Sequence, residues 1–336
     1  MPAPSDQYDR LHLTERRING HEIGIRLYDA HNHLQDTRLA HHRAAILAAG
    51  QSESIAGMVV NGSCEEDWPE VLALARLCVT RVAAAGRIPF DPKMGQTGVG
   101  DRARSADRVV DKPSWPALSQ PQVIPSFGYH PWHVKERSPD WQAVLLRHLN
   151  AVPSGIGEIG LDRWIKDYDL AAQEEVFVWQ LRLAAERNLP ASIHCLQAWG
   201  RLLELLRAGP CPRCGFLLHS FGGPCEMIGP LAELGAYFSV PGYFAHERKA
   251  RQREVFRQVP PARLLIETDA PYQSLPAERI QYTLTDPATG KAINHPANLG
   301  AIYRFVAELL DEPLEPLAER VEENFQRLFG ALLASA

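Results

Sequence analysis

Apolar runs of strand length alternate with amphipathic helical stretches along most of this chain. The strand-like runs are rich in β-branched residues and stop abruptly at polar side chains, as buried parallel strands do. They cover residues 27–34, 55–63, 123–131, 154–162, 189–195, 215–221, 236–241 and 263–271. Helical periodicity covers residues 40–49, 65–85, 141–149, 169–187, 199–208, 225–234, 245–259, 297–310 and 314–333.

Eight strands, each followed by a helix, predict right-handed parallel β/α units, and eight such units close into a (β/α)8 TIM barrel of the α/β class. An open doubly wound sheet is the alternative, but no Gly-x-Gly-x-x-Gly motif for a dinucleotide follows the first strand. We expect one barrel over residues 27–333, preceded by a polar leader at residues 1–26. Residues 86–121 hold many glycines, prolines and basic residues without a dominant period, which predicts an inserted loop.

The first strand carries the first candidate chemistry. His31 and His33 are two residues apart, so an extended chain projects both imidazoles to the same side. Two neutral imidazoles that converge on one point form half of a common divalent-metal site. A lone His-x-His motif is weak evidence, so further ligands must come from other strands.

Most of the other strand-like runs also end at an ionisable side chain. These side chains are His130 with His133 beyond it, Glu158, His194, His219, Glu267 and Asp269. In a parallel barrel the carboxyl ends of all the strands meet at one rim. Burying so many ionisable groups together is costly unless a cation offsets them, and the sequence therefore predicts a metal site at this rim.

Composition narrows the class of protein further. The 336 residues are 45% hydrophobic and carry a formal net charge of −5, which argues against a protein coated in positive charge for nucleic acid. The N-terminus shows no signal peptide, and no apolar run reaches the ~18 residues of a membrane span. We expect a cytoplasmic protein with reduced cysteines. Cys211 and Cys214 form a Cys-x-x-Cys pair without a matching second pair, which favours two loop thiols over a zinc or redox site.

Seven motifs in this order resemble those of the TatD-like metal-dependent deoxyribonucleases of the amidohydrolase superfamily, over about residues 27–330 apart from the insertion. They are Asp-Ala-His-Asn-His, Gly-Tyr-His-Pro, Gly-Glu-Ile-Gly-Leu-Asp, Ser-Ile-His-Cys, Leu-His-Ser-Phe-Gly-Gly, Ile-Glu-Thr-Asp-Ala-Pro and Asn-Phe-Gln-Arg-Leu-Phe-Gly. The resemblance implies two divalent metal ions. His31, His33 and Asp269 would hold one ion and His194 and His219 the other, with Glu158 bridging.

The resemblance also implies a 3′-5′ exonuclease acting on single-stranded DNA through a metal-activated water. Asp269 would serve as ligand and general base with Glu158, and His130 would orient the substrate, with His133 as a further candidate for substrate binding. The metal stays open between Zn²⁺ and Mg²⁺ or Mn²⁺. Two positions depart from the family pattern: Leu196 stands where members often have Arg, and His295 stands in place of Glu.

Two other functions remain open at this point. The same metal pair can polarise the carbonyl of a small ester, lactone or amide, and the acidic net charge favours that alternative slightly. A basic stretch after the seventh strand favours DNA, although a solvated helix face explains it equally well. It comprises Arg248, Lys249, Arg251 and Arg253. A binding protein with a dead site is disfavoured by the complete ligand set, and no obligate protein partner is indicated.

Overall fold

Eight parallel strands form one sheet whose spatial order follows the chain. They are β1 (Leu27–Asn32), β2 (Ile55–Asn61), β3 (Gln122–Phe127), β4 (Gly155–Asp162), β5 (Ala191–Leu196), β6 (Phe216–Leu218), β7 (Ala236–Val240) and β8 (Leu264–Ile266). The structure, a computed structural model, describes residues 16–18, 21–85 and 120–333. Most of the predicted leader and nearly all of the predicted insertion at residues 86–121 lie outside these ranges.

The first and last strands meet, which distinguishes a barrel from an open sheet. Beyond the end of β8, the amide of Asp269 donates to the carbonyl of His31 at 2.9 Å, and the amide of His33 donates to the carbonyl of Ala270 at 2.8 Å. The buried carboxylate of Asp29 accepts from both the amide and the hydroxyl of Thr268, at 2.9 and 2.6 Å. The strand order has no reversal, so the predicted (β/α)8 barrel is confirmed and the doubly wound alternative is wrong.

Helices follow the strands around the outside. They are α1 (Arg43–Ser52), α2 (Trp68–Ala85), α3 (Trp141–Ala151), α4 (Leu170–Arg187), α5 (Trp199–Ala208), α6 (Ile228–Glu233), α7 (Ala250–Arg253), α8 (Leu299–Leu310) and α9 (Leu314–Leu333). Two short antiparallel strand pairs form separate sheets, Arg16–Ile18 with His21–Ile23 and Leu284–Thr285 with Ala292–Ile293. In the described ranges, no helix is both long enough and apolar enough to cross a membrane.

The single long helix predicted at residues 245–259 is wrong. The structure has the four-residue α7 there, between the 3-10 turns Glu247–Lys249 and Glu254–Gln258. Only Phe256 and Val259 are buried in that stretch. A surface helix is stabilised mainly by packing one continuous apolar stripe, and two buried side chains do not provide one.

Several strands end earlier than the apolar runs that predicted them, and the difference is largest for β3 and β8. The runs at residues 123–131 and 263–271 extend to a proline, whereas β3 stops at Phe127 and β8 at Ile266. His130, Glu267 and Asp269 therefore lie on the loops that leave these strands. These loops rise from the carboxyl rim, where active sites of such barrels are located.

Candidate metal centre

His31 and His33 form one side of a buried cluster at the carboxyl rim. Their Nε2 atoms are 3.3 Å apart, because His31 in β1 and His33 just beyond its end both turn their rings inward. Glu158 Oε2 lies 3.4 Å from His31 Nε2 and 3.2 Å from His33 Nε2. Asp269 Oδ1 lies 3.8 and 3.6 Å from the same two nitrogens. These four side chains surround one point from three separate segments of the chain.

The other oxygen of Glu158 faces a second set of imidazoles. Oε1 is 2.8 Å from His219 Nε2, 3.1 Å from His194 Nδ1 and 3.2 Å from His130 Nε2. His194 Nδ1 and His219 Nε2 are themselves 3.1 Å apart. Glu158 thus stands between two ligand sets and presents one oxygen to each.

Hydrogen bonds on the far side of two rings, and a nearby carboxylate on the far side of a third, favour an inward-facing nitrogen with a free lone pair. His33 Nδ1 contacts the carbonyl of Asn61 at 2.8 Å, and His194 Nε2 contacts Asp162 Oδ2 at 3.0 Å. His219 Nδ1 points at Glu267 Oε1, 3.8 Å away. An acceptor beside the outer nitrogen favours the proton there, which leaves the inner nitrogen able to bind a metal. His31 Nδ1 and His219 Nδ1 are buried without a hydrogen-bond partner in the described ranges.

His130 has the opposite arrangement. The backbone amide of Trp132 donates to His130 Nδ1 at 3.1 Å, so that nitrogen must be the unprotonated one. We therefore assign the proton to Nε2, which faces Glu158 Oε1. Burial lowers the pKa of His130 to about 4, against the attraction of Glu158, and keeps the ring neutral. The structure thus brings His130 into the cluster as a hydrogen-bond donor.

Two carboxylates are held in place by their neighbours. Asp269 Oδ2 accepts from Gln273 Nε2 at 2.9 Å, which leaves Oδ1 for the histidine pair. Glu267 accepts from the amide and hydroxyl of Ser220, at 2.8 and 2.5 Å, and from the hydroxyl of Ser239. With these bonds made, Glu267 orients its surroundings and is not free to act on a substrate.

The electrostatics of the cluster fit a divalent cation. Burial opposes ionisation of Glu158, yet the imidazoles of His130 and His219 hold its pKa well below its ordinary value. Burial likewise opposes the charging of His33, but contacts with Glu158 and Asp269 raise its pKa to about 9. In the protein alone, the protonated imidazoles of His33 and His219 therefore compensate the buried carboxylates near neutral pH. A bound divalent cation would replace those protons with charge of the same sign.

The donor set is also of the right kind and spacing. Three groups of side chains place their ligand atoms within 4.8 Å of one another among the described residues. They are His31 with His33 and Asp269, His130 with Glu158 and His194, and His31 with His219 and Glu267. Imidazole and carboxylate donors suit Zn²⁺ and Mn²⁺, so the residues present fit the predicted metal.

A cavity of about 540 Å³ opens above the cluster. His133 lines it, but its Nδ1 contacts the neighbouring Glu136 at 3.2 Å, so its role in substrate binding stays a prediction. Lys249 is the member of the predicted basic stretch that lines this cavity. Leu196 lines it as well, whereas His295 caps the turn before α8 with its side chain.

Sequence reasoning gave no role to Asp162, although the structure makes it a partner of His194. Asp162 Oδ2 also accepts from Trp132 Nε1 at 2.7 Å. The signal was present, because Asp162 is the polar residue at which the apolar strand β4 ends. Gln273 carried no such signal, since its loop follows the cis Ala270–Pro271 bond outside any periodic segment.

The Cys-x-x-Cys pair lies away from the cluster, in the loop between α5 and β6. Cys211 Sγ and Cys214 Sγ contact the carbonyls of Leu206 and Asn188, at 3.6 and 3.5 Å. Both thiols are free, and burial raises the pKa of Cys214 to about 11. These observations agree with two protonated loop thiols.

Comparison with known proteins identifies relatives over most of the chain. The sequence profile of the family described as TatD related DNase matches residues 114–330. A 3′-5′ ssDNA/RNA exonuclease TatD of Shigella flexneri serotype 5b is 36% identical over 305 residues, which are 90% of this chain and 99% of that protein. The uncharacterized metal-dependent hydrolase YcfH of Escherichia coli K12 is 32% identical over 209 residues, 62% of this chain and 74% of its own. The crystal structure of the TatD homologue YjjV of Escherichia coli K12 superposes with a TM-score of 0.69 at 23% identity, covering 91% of this chain and 98% of that one.

Proposed function

The chain belongs to the TatD-related DNase family of hydrolases that act on phosphodiester bonds, and on that premise we propose that it is a metal-dependent 3′-5′ exonuclease of single-stranded DNA or RNA. The observation that carries the proposal is the position of Glu158, whose two oxygens face two separate ligand sets at 2.8–3.4 Å. Such a centre suits hydrolysis of a phosphodiester, in which an attacking and a leaving oxygen both need stabilisation.

We assign each set of side chains that faces one oxygen of Glu158 to a separate metal ion. His31, His33 and Asp269 would hold one divalent ion, and His194 and His219 the other, with Glu158 between them. The ions would be Zn²⁺, or else Mg²⁺ or Mn²⁺. They would supply positive charge that stabilises the phosphodiester oxygens, and they would lower the pKa of a bound water. Every other part of the reaction falls to side chains of the chain itself.

Asp269 is placed to accept the proton of the attacking water. Its Oδ1 faces the histidine pair, and Gln273 holds Oδ2 at 2.9 Å, so the carboxylate keeps one orientation. A positioned carboxylate beside the reacting water can act as a general base. Gln273 also donates to Ser220 Oγ at 2.5 Å, which ties the loop after β8 to the loop after β6.

His130 is placed to donate from Nε2 to an oxygen of the substrate phosphate. Its proton now faces Glu158 Oε1 at 3.2 Å, and a phosphoryl oxygen entering the cluster would be an alternative acceptor. Because the amide of Trp132 holds Nδ1, the donor direction is fixed before the substrate arrives.

The test uses a single-stranded oligonucleotide labelled at its 5′ end, incubated with the protein and Mg²⁺, Mn²⁺ or Zn²⁺. We expect a ladder of products shortened from the 3′ end, and loss of the ladder in Asp269→Asn. A parallel panel of esters, lactones and amides addresses the alternative function. Hydrolysis of a panel compound together with an intact oligonucleotide would contradict the proposal.

A further inference from the structure

Exposed apolar side chains concentrate at the cavity above the metal centre. Six large hydrophobic side chains are exposed in the described ranges, and four of them line this cavity. These four are Trp132, Trp164, Leu196 and Tyr272. Single exposed apolar residues are ordinary, but their accumulation around one concave site marks a surface that binds something.

Three of the four gather around Asp162. Trp132 Nε1 donates to Asp162 Oδ2 and the amide of Trp164 donates to Asp162 Oδ1, each at 2.7 Å. Leu196 is the residue paired with Asp162 across β4 and β5. We refer to Trp132, Trp164 and Leu196 as the apolar ledge. The ledge is built on the same carboxylate that orients His194, so its distance from the metal centre is fixed.

Trp164 is the most accessible member of the ledge. Its side chain is 66% exposed, and its backbone amide is held by Asp162 Oδ1. Within the described residues, no aromatic ring or cation stacks on its indole. Tyr272 differs, because the guanidinium of Arg38 covers its ring at 4.5 Å. The indole faces of the ledge are thus the ones open to a ligand.

We infer that Trp164 and Trp132 stack nucleobases of the single-stranded substrate, which makes the ledge a base-binding subsite. This inference rests on the proposed function. Indole faces suit the flat faces of any base, and stacking of this kind is tolerant of sequence. The Trp132 ring centroid lies 5.0 Å from that of His130 and 6.4 Å from that of His194. A base on the ledge therefore lies beside the groups that would hold its phosphate.

A cation on the cavity wall complements the ledge. Lys249 Nζ lies 5.0 Å from the ring centroid of Tyr243 and 2.9 Å from Gln252 Oε1. In the described ranges no carboxylate pairs with it, so its charge is available to a phosphate of the same strand. In a duplex, the bases are already stacked and paired, and they would have to unstack to reach the indoles. The ledge thus favours single strands.

The experiment compares Trp164→Ala with wild type on two substrates of equal length. One is single-stranded oligothymidylate, and the other carries base-free tetrahydrofuran units at its 3′ end. We expect the preference for thymidylate, taken as the ratio of kcat/KM values, to fall about tenfold in Trp164→Ala, mainly through KM. Trp164→Phe keeps an aromatic face and should restore most of the preference. Tyr168→Ala is the matched control, because Tyr168 is exposed in the same loop but does not line the cavity.

Different results would contradict the exonuclease activity and the stacking role of Trp164. A wild-type protein that shortens neither oligomer overturns the proposed function and this inference with it. A wild-type protein that shortens thymidylate, with the same preference in Trp164→Ala, overturns the stacking role alone. Quenching of tryptophan fluorescence by thymidylate gives a second measurement, and we expect the quenching to shrink in Trp164→Ala.

Discussion

At the scale of single residues, the imidazoles around Glu158 differ in role because their outer nitrogens meet different partners. Acceptors lie beside the outer nitrogens of His33, His194 and His219, whereas a backbone donor lies beside that of His130. Distances to Glu158 alone would make His130 look like a ligand. The direction of one backbone amide makes it a hydrogen-bond donor that faces Glu158 instead.

This difference predicts separate effects of two matched substitutions. His130→Gln should keep the metal content of wild type and lower kcat by about 10²-fold or more, because a positioned proton donor is lost. His194→Gln should lose metal as well as activity, because a ligand is lost. Elemental analysis after dialysis, together with kcat on an oligonucleotide, measures both. Loss of metal from His130→Gln would show that His130 is a ligand after all.

Asp162 gives a second prediction at this scale. Asp162→Asn preserves the shape but weakens the acceptor for His194 Nε2, so metal affinity should fall about 10- to 100-fold. Titration of the metal-free protein with Mn²⁺ or Zn²⁺ measures the affinity. Trp132→Phe is the control, since it removes the indole donor to Asp162 but leaves the bond to His194 in place. Equal affinities in Asp162→Asn and wild type would refute the role.

At the scale of elements, the strands of the barrel could be predicted from the sequence, but the structure of its loops could not. Parallel strands are buried on both faces, so the all-buried β2 and β4 stand out as apolar runs. Most of the predicted ligands stand near the ends of such runs and could be found by position, whereas Glu158 lies in the middle of β4. The structure of the stretch after β7 and the position of Gln273 could not be predicted in this way. Both depend on packing between loops, which leaves no hydrophobic periodicity in the local sequence.

Gly160 sets the spacing between β4 and β5. Its φ is +147°, and a Cβ added there would lie 1.9 Å from the carbonyl oxygen of His194. Gly160→Ala should therefore lower the free energy of unfolding by about 3 kcal/mol or more, through overpacking and backbone strain. Urea denaturation measures the change.

Gly200 in α5 is the matched control for that substitution, since no atom lies within 4 Å of an added Cβ. Gly200→Ala should raise the free energy of unfolding by about 0.5–1 kcal/mol, because alanine is the better helix former. A Gly160→Ala protein as stable as wild type would mean that the two strands can separate locally without cost.

His295 makes the stability of the turn before α8 depend on pH. Its Nδ1 accepts from the amide of Ala297 at 3.0 Å, and burial, with a contribution from His42, lowers its pKa to about 4. The unfolded chain binds this proton near the ordinary pKa of about 6.5, so stability is present above that pH and is lost as the pH falls toward 4. His295→Asn keeps an acceptor for the cap but does not titrate.

We therefore expect metal-free wild type to lose about 1 kcal/mol more stability than His295→Asn between pH 7 and pH 5. Urea denaturation of both proteins at the two pH values measures the change in the free energy of unfolding. The contributions of all other titrating groups are the same in both proteins and cancel in the comparison. Parallel loss in the two proteins would show that His295 takes up its proton in the folded state.

At the scale of the whole molecule, the candidate ligands span the junction where the barrel closes. His31 lies near the end of β1 and His33 just beyond it, and Asp269 lies after β8, on a loop that is bonded to β1. Ions held by these groups would tie the first strand to the last. Ligand binding to the folded state alone stabilises it.

Removal of metal should therefore lower the melting temperature by several degrees. The comparison is between Mn²⁺-loaded protein and the same protein treated with chelator, followed by calorimetry. Asp269→Asn should show a smaller difference, since it lacks one ligand at the junction. Identical melting curves with and without chelator would argue against any resident metal.

The shared carboxylate of Glu158 has a consequence for how ions are taken up. One oxygen cannot turn toward its ligand set without also turning the other, so the first ion to bind fixes the geometry that the second requires. Under the two-ion proposal, uptake is then cooperative: half-filled protein is scarce, and activity rises with a sigmoidal dependence on the concentration of free metal.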